Sequence, residues 1–206
     1  MAERKKTKIL AVGDLHGDVR FAKRLAEKAA KENVDIVILA GDLTLAELST
    51  KNIIGPFTRM KKQVLLIPGN HETVATADFL AELYAPYTKN IHGYSIRVGD
   101  VGIFGAGGAN IGPFSTSEKE MHRLLNKAHE NIKDLSKKIM VTHMHPKKSK
   151  TEAIGFEGSG AILKAIKKFR PDILLHGHIH ETAGLEEKIG KTRVINVARK
   201  EVIFEI

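Results

Sequence analysis

The 206 residues contain no cysteine and no tryptophan. Without cysteine there are no disulfides, thiolate metal sites, iron–sulfur clusters or cysteine nucleophiles, so any metal held here has nitrogen and oxygen ligands. Long apolar runs are also missing. The longest, at residues 36–40 and 64–67, fall far short of the roughly 18 residues that span a bilayer. The basic start, residues 1–8, leads into an apolar stretch at 9–12 that is too short for the core of a signal peptide and is broken by Gly13-Asp14. No export signal is expected; together with the missing cysteines this points to a cytoplasmic protein that makes no membrane contact.

What is present is close to globular average. Apolar residues make up 42% and charged residues 28%, which excludes a disordered, collagen-like or coiled-coil chain. The length fits one domain over residues 1–206 with a full hydrophobic core. The 33 Lys and Arg against 24 Asp and Glu leave a net charge of +9, a bias toward anionic partners. The basic residues are mostly lysines dispersed in ones and twos, which suits nucleic acid and a plain solvated surface equally.

Hydrophobic periodicity alternates strand with helix. Residues 8–12 read as a strand, Asp18 as a helix N-cap and 19–31 as an amphipathic helix. The pattern continues with a strand at 34–40, a helix at 45–60, a strand at 64–67 and a helix at 75–84. Three βα units predict a largely parallel, covered sheet and an α/β fold class. Residues 94–98 and 101–104 flank Gly99-Asp100 and read as a hairpin. Helices are expected at 118–135 and 159–169, strands at 138–142 and 172–175, and three closing strands at 185–189, 193–197 and 201–206.

Five of these strands end in residues of metal-ligand type: Asp14 and His16; Asp42; Asn70, His71 and Glu72; His143 and His145; and His176, His178 and His180. In open α/β sheets, ligands bind beyond the carboxyl ends of the strands, where distant segments meet at one rim. Seven of the ten histidines lie at these ends, so a polynuclear metal site is the economical explanation. Carboxylate, amide and imidazole donors suit manganese, iron, zinc, cobalt or nickel. Glycines at 13, 17, 41, 69 and 177 fit sharp turns where backbone comes close to an ion.

The ordered blocks Asp14-Leu15-His16, Gly41-Asp42, Gly69-Asn70-His71-Glu72, His143 and Gly177-His178-Ile179-His180 resemble those of the calcineurin-like metallophosphoesterases. The segment Gly105-Ala106-Gly107-Gly108-Ala109-Asn110, followed by Pro113-Phe114 and Ser117-Glu118, is similar to small prokaryotic, Icc-related predicted phosphoesterases. The resemblance implies two mixed β-sheets packed face to face with flanking helices, a four-layer sandwich. It also implies two divalent metal ions, with manganese favoured. Asp14, His16, Asp42 and His180 would hold one ion, Asp42, Asn70, His143 and His178 the other, and Asp42 would bridge them. Ions about 3.5–4 Å apart need such a shared anion. With both carboxylates and a bridging hydroxide counted, the centre keeps a net charge of about +1 to meet a phosphate.

The implied chemistry is attack of that hydroxide on phosphorus, with Asp42, Asn70 and His71 as the catalytic set and His71 as general acid to the leaving group. The expected substrate is a small-molecule phosphoester, with phosphodiesters ahead of phosphomonoesters. Two alternatives are a nuclease acting on nucleic acid, motivated by the charge, and a metal-binding scaffold without catalysis. No Asp-Arg-Gly segment follows Gly41-Asp42, since the chain continues Leu43-Thr44-Leu45, which argues against phosphoserine or phosphothreonine proteins as substrates. Glu72 reads as a hydrogen-bonding neighbour, His176 as a satisfied core histidine, and His145 as a candidate for touching substrate phosphate. His92, His122 and His129 read as surface residues. The 105–110 segment reads either as a substrate-facing loop or as a strand-exit loop.

Overall fold

Runs such as Ile-Val-Ile-Leu-Ala alternate side chains between two faces, and a strand apolar at every position must be covered on both. That requirement organises the architecture. The structure, a computed structural model, describes residues 6–206; most of the basic start, residues 1–5, lies outside the described residues. In chain order the elements are β1 (Lys8–Val12), α1 (Val19–Lys31), β2 (Ile36–Ala40), α2 (Gly55–Arg59), β3 (Gln63–Ile67), α3 (Val74–Leu83) and β4 (Thr88–Asn90). There follow β5 (Ser95–Val98), β6 (Val101–Ala106), α4 (Glu118–Glu130), β7 (Lys137–Thr142), α5 (Gly160–Phe169), β8 (Ile173–His176), β9 (Glu186–Ile189), β10 (Thr192–Asn196) and β11 (Val202–Glu205). Short 3₁₀ turns occupy Lys150–Ile154 and His180–Thr182.

The strands form two mixed sheets, ordered β11-β1-β2-β3-β4 and β5-β6-β7-β8-β10-β9. Pairing is parallel except at β1/β11, β5/β6 and β9/β10. Ile9, Ala11, Ile38 and Ile67 of the first sheet pack against Ile103, Val141 and Leu175 of the second in one buried cluster. Their neighbours one residue along, Leu10, Val37, Leu39 and Leu66, face outward onto α1, α2 and α3. On the far side, Phe104, Met140 and Leu174 face α4 and α5. The result is the four-layer order helix, sheet, sheet, helix.

Helix α1 follows its sequence signals closely. The Asp18 carboxylate accepts from the Phe21 N–H at 2.9 Å, and Phe21, Ala22, Leu25 and Ala29 supply the buried stripe. The helix expected at 45–60 is the main correction, for only Gly55–Arg59 is helical. Ala46, Glu47 and Asn52 adopt left-handed φ values of 49°, 59° and 57°, which break the helical path, and Pro56 sits in the first turn of the short helix, where its missing N–H costs nothing. The Glu47 carboxylate is used elsewhere, accepting from Thr73 N–H and from the Thr73 and Thr76 hydroxyls at the start of α3. Helix α4 also stops before the expected residue 135, giving way to turns at Ile132 and Leu135.

Candidate metal centre

Each predicted ligand sits just beyond the carboxyl end of a parallel strand, and hydrogen bonds between the sheets bring those ends together. Gly13 N–H donates to Val197 O at 2.8 Å, and the His143 Nδ1–H donates to Ala40 O at 2.9 Å. The five-stranded sheet thus contributes Asp14, His16, Asp42, Asn70 and His71, and the six-stranded sheet contributes His143, His178 and His180.

Donor atoms gather in three overlapping groups: Asp14, His16 and His180; His16, Asp42 and His71; and Asp42, His143 and His178. Within each group they lie no more than 4.8 Å apart. His180 Nε2 is 3.1 Å from Asp14 Oδ1 and 3.3 Å from His16 Nε2. Asp42 Oδ2 lies 3.6 Å from His16 Nε2 and 3.3 Å from His143 Nε2, so this one carboxylate is common to both sides of the centre. Its other oxygen, Oδ1, accepts the N–H groups of Asn70 and His71 at 2.9 and 3.0 Å. Asn70 Oδ1 is 3.0 Å from His143 Nε2. All seven predicted ligands are therefore assembled, and His71 stands beside His16 with ring centroids 4.8 Å apart.

The donors fit divalent ions. His143 spends its Nδ1 proton on Ala40 O, which leaves Nε2 facing the centre, the arrangement by which an outer partner orients a ligating imidazole. His16 Nδ1 is buried without a hydrogen-bond partner, so its polar engagement is through Nε2 alone. Without a metal, burial would raise the Asp42 carboxyl, but the facing His143 imidazole, then His16 and His71, outweigh it and hold the acid well below the carboxylate range. Burial opposes charge on His143, yet Asp42 overrides it and pushes the imidazole up to about 9. Burial brings His178 down to about 4 and lowers His16, whereas the hydrogen bond to Asp14 raises His180.

Close approach explains the glycines. A Cβ on Gly69 would lie 2.0 Å from Asp42 Oδ1, and one on Gly177 would lie 2.3 Å from Asp14 Oδ2. A less legible feature is backbone strain: Asp14, His16, Asp42 and His178 have left-handed φ values of 61°, 46°, 49° and 72°, a conformation that costs non-glycine residues energy and concentrates at functional sites. No residue type announces it in advance.

The neighbouring residues sort more sharply than the sequence allowed. Glu72, fully buried, accepts the Thr44 N–H and hydroxyl and the Gly69 N–H, tying the loops after β2 and β3 together. Burial, only partly offset by those donors, raises its carboxyl. His176 is a core histidine, with Nδ1–H donating to Gly177 O at 3.2 Å. His145 is fully buried and its Nε2–H donates to Phe156 O at 3.1 Å, so it faces that loop. Two histidines expected at the surface are built in: His92 Nδ1 accepts the Gly107 N–H at 3.0 Å, and His129 stacks on Phe169 at 4.1 Å. His122 is exposed. The 105–110 loop packs on the β3 exit, where Gly108 N–H donates to Pro68 O; Ile111, just beyond it, is the residue that reaches the cleft over the centre. Ile111, Phe156, Ile179 and Glu181 line that cleft of about 220 Å³; Ile179 sits inside the Gly177–His180 block, and no motif pointed to the other three.

The family model for calcineurin-like phosphoesterases matches residues 7–182. Among curated proteins, none matches the sequence. Among solved structures, TT1561 of Thermus thermophilus is similar with a TM-score of 0.75 at 17% identity, over 94% of this chain and 90% of that one. A dimetal phosphatase from Danio rerio gives 0.62 at 11% identity, over 92% and 86%. A novel archaeal phosphodiesterase gives 0.56 at 17%, over 97% and 99%. At these identities the likeness is one of fold.

Proposed function

This chain belongs to the calcineurin-like phosphoesterase family, and from that premise we propose that it is a metal-dependent phosphoric ester hydrolase acting on small phosphodiesters ahead of phosphomonoesters. The observation that carries the reading is the position of Asp42, whose single carboxylate lies within 3.6 Å of ligand nitrogens on both sides of the centre. Two divalent ions, manganese favoured, would supply Lewis acidity toward phosphoryl oxygens and an activated water. Asp14, His16, Asp42 and His180 would hold one, and Asp42, Asn70, His143 and His178 the other.

The protein's own groups do the rest. Two backbone N–H donors fix Asp42, so the shared ligand is oriented before substrate arrives. Asn70 presents its amide oxygen toward His143 and the centre. His71 lines the cleft beside Asp42 and Asn70. We assign it to protonate the departing ester oxygen, because the two ligand sets are complete without it.

The test is hydrolysis of bis-p-nitrophenyl phosphate beside p-nitrophenyl phosphate by chelator-stripped protein with manganese added back, with Asp42→Asn as control. Manganese-restored turnover, faster on the diester and absent in the variant, is the expected result. No turnover with any divalent ion, while calorimetry still shows ions bound, would turn the reading toward a metal-binding scaffold.

A further inference from the structure

The cleft above the centre differs in character from the rest of the molecule. The chain carries 33 Lys and Arg, yet among the described residues none of them lines this cleft. Outside the ligand set and His71, its walls are Ile111, Phe156, Ile179 and the carboxylate Glu181. Ile111 and Phe156 are 48% and 41% exposed, so they present apolar surface that a group entering the cleft would remove from water.

Both are held in place from behind. Gly112, with φ of 102°, presses so closely on the candidate ligand Asn70 that a Cβ there would lie 2.2 Å from its amide nitrogen, and Phe114 N–H donates to Asn70 O. Ile111 is thereby seated on the centre. On the other side the Phe156 carbonyl accepts from buried His145. Glu152 pins both ends of that loop through the N–H groups of Lys148 and Gly158. These are anchored apolar walls beside the candidate ligands.

Resting on the phosphoesterase reading, we infer that Ile111 and Phe156 flank an apolar or aromatic ester group and that the substrate is a small diester carrying a single negative charge. A monoester brings a second negative charge toward Glu181. A nucleic-acid strand brings flanking phosphates that a wall without cations does not meet, since phosphate contacts by Lys and Arg supply most of such binding. His145 is then a positioning residue, acting through the Phe156 backbone.

Calorimetry on manganese-loaded protein with diphenyl phosphate, dimethyl phosphate, phenyl phosphate and a short single-stranded oligodeoxynucleotide tests this. The expected order places diphenyl phosphate at least tenfold tighter than dimethyl phosphate or phenyl phosphate. Phe156→Ala and Ile111→Ala should each erase most of the preference for phenyl over methyl arms, with circular dichroism confirming the fold. Glu181→Gln should narrow the gap between diphenyl and phenyl phosphate. Equal affinities for diphenyl and dimethyl phosphate, a preference untouched in both wall variants, or tightest binding to the oligonucleotide would overturn the inference while leaving the phosphoesterase reading standing. Failure to bind or hydrolyse any phosphate ester would remove both.

Discussion

Asp42 Oδ2 and His143 Nε2 lie 3.3 Å apart, one from each sheet, and without metal they form a buried ion pair. With the carboxyl held low and the imidazole at about 9, an ion entering this side of the centre must displace a proton, because a ligating imidazole nitrogen has to be free of it.

Metal affinity should therefore rise with pH. Between pH 7 and 9 the apparent constant for manganese should climb by up to about tenfold per unit and then level off. Titration calorimetry in buffers of different ionisation enthalpy should count at least about one proton released per protein at pH 7, His143 supplying most of it and the raised His180 adding to it. A pH-independent affinity over that range would contradict the pairing.

Replacing His71 by Ala should leave ion binding nearly intact and slow turnover most for poor leaving groups. For a p-nitrophenyl ester the loss should be slight, and for an alkyl ester about 10²–10⁴-fold, the usual range for a positioned acid. A leaving-group series measured on both proteins reads this out, and parallel loss across the series would refute the acid role.

Glu72 makes no contact with the centre's floor, yet its removal should be felt there. Glu72→Ala strands the buried Thr44 and Gly69 donors, at about 1–3 kcal/mol for each unmade bond. The melting temperature should fall by roughly 4–24 °C at about 2–4 °C per kcal/mol. Metal affinity should weaken as well, because the loop that Glu72 holds through Gly69 carries Asn70.

His92 gives the protein an acid weakness remote from the centre. Burial depresses its imidazole to about 4, and its Nδ1 must stay unprotonated to accept from Gly107. Well above pH 6.5 the ring is neutral whether folded or not. As pH falls from about 6.5 to 4 the unfolded chain takes up a proton that the folded chain refuses, so stability drops by roughly 3 kcal/mol. Urea midpoints of chelator-stripped protein should fall over that interval, and His92→Asn, which keeps an acceptor, should flatten part of the slope.

Much of this architecture was legible because local signals and burial agree. Ile38 and Leu39 bury opposite faces of one strand, and Asp18 caps α1 where the sequence placed it. The candidate centre was legible because Asp14, Asp42, Asn70, His143 and His178 each follow a strand, and parallel strands share a rim. The helix expected at 45–60 failed because the left-handed turns at Ala46 and Glu47 answer to a tertiary demand, the capping of α3 by Glu47. His92 and His129 were misplaced for a related reason: a histidine in a polar stretch gives no hint that Gly107 or Phe169 will fold over it. The cleft walls lay beyond reach because Ile111 and Phe156 come from loops whose meeting depends on both sheets.

That dependence has a temporal side. Asp14 accepts the N–H of His178, and the ring of His180 meets Asp14, across separations of 164 and 166 residues. A chain leaving the ribosome carries Asp14, His16 and Asp42 long before β8 and the histidines after it exist. Until residue 180 has emerged and the second sheet has closed on the first, no shorter intermediate owns a whole site. The complete candidate site is therefore a property of the two closed sheets together, while the first sheet alone carries only the donors of Asp14, His16, Asp42, Asn70 and His71.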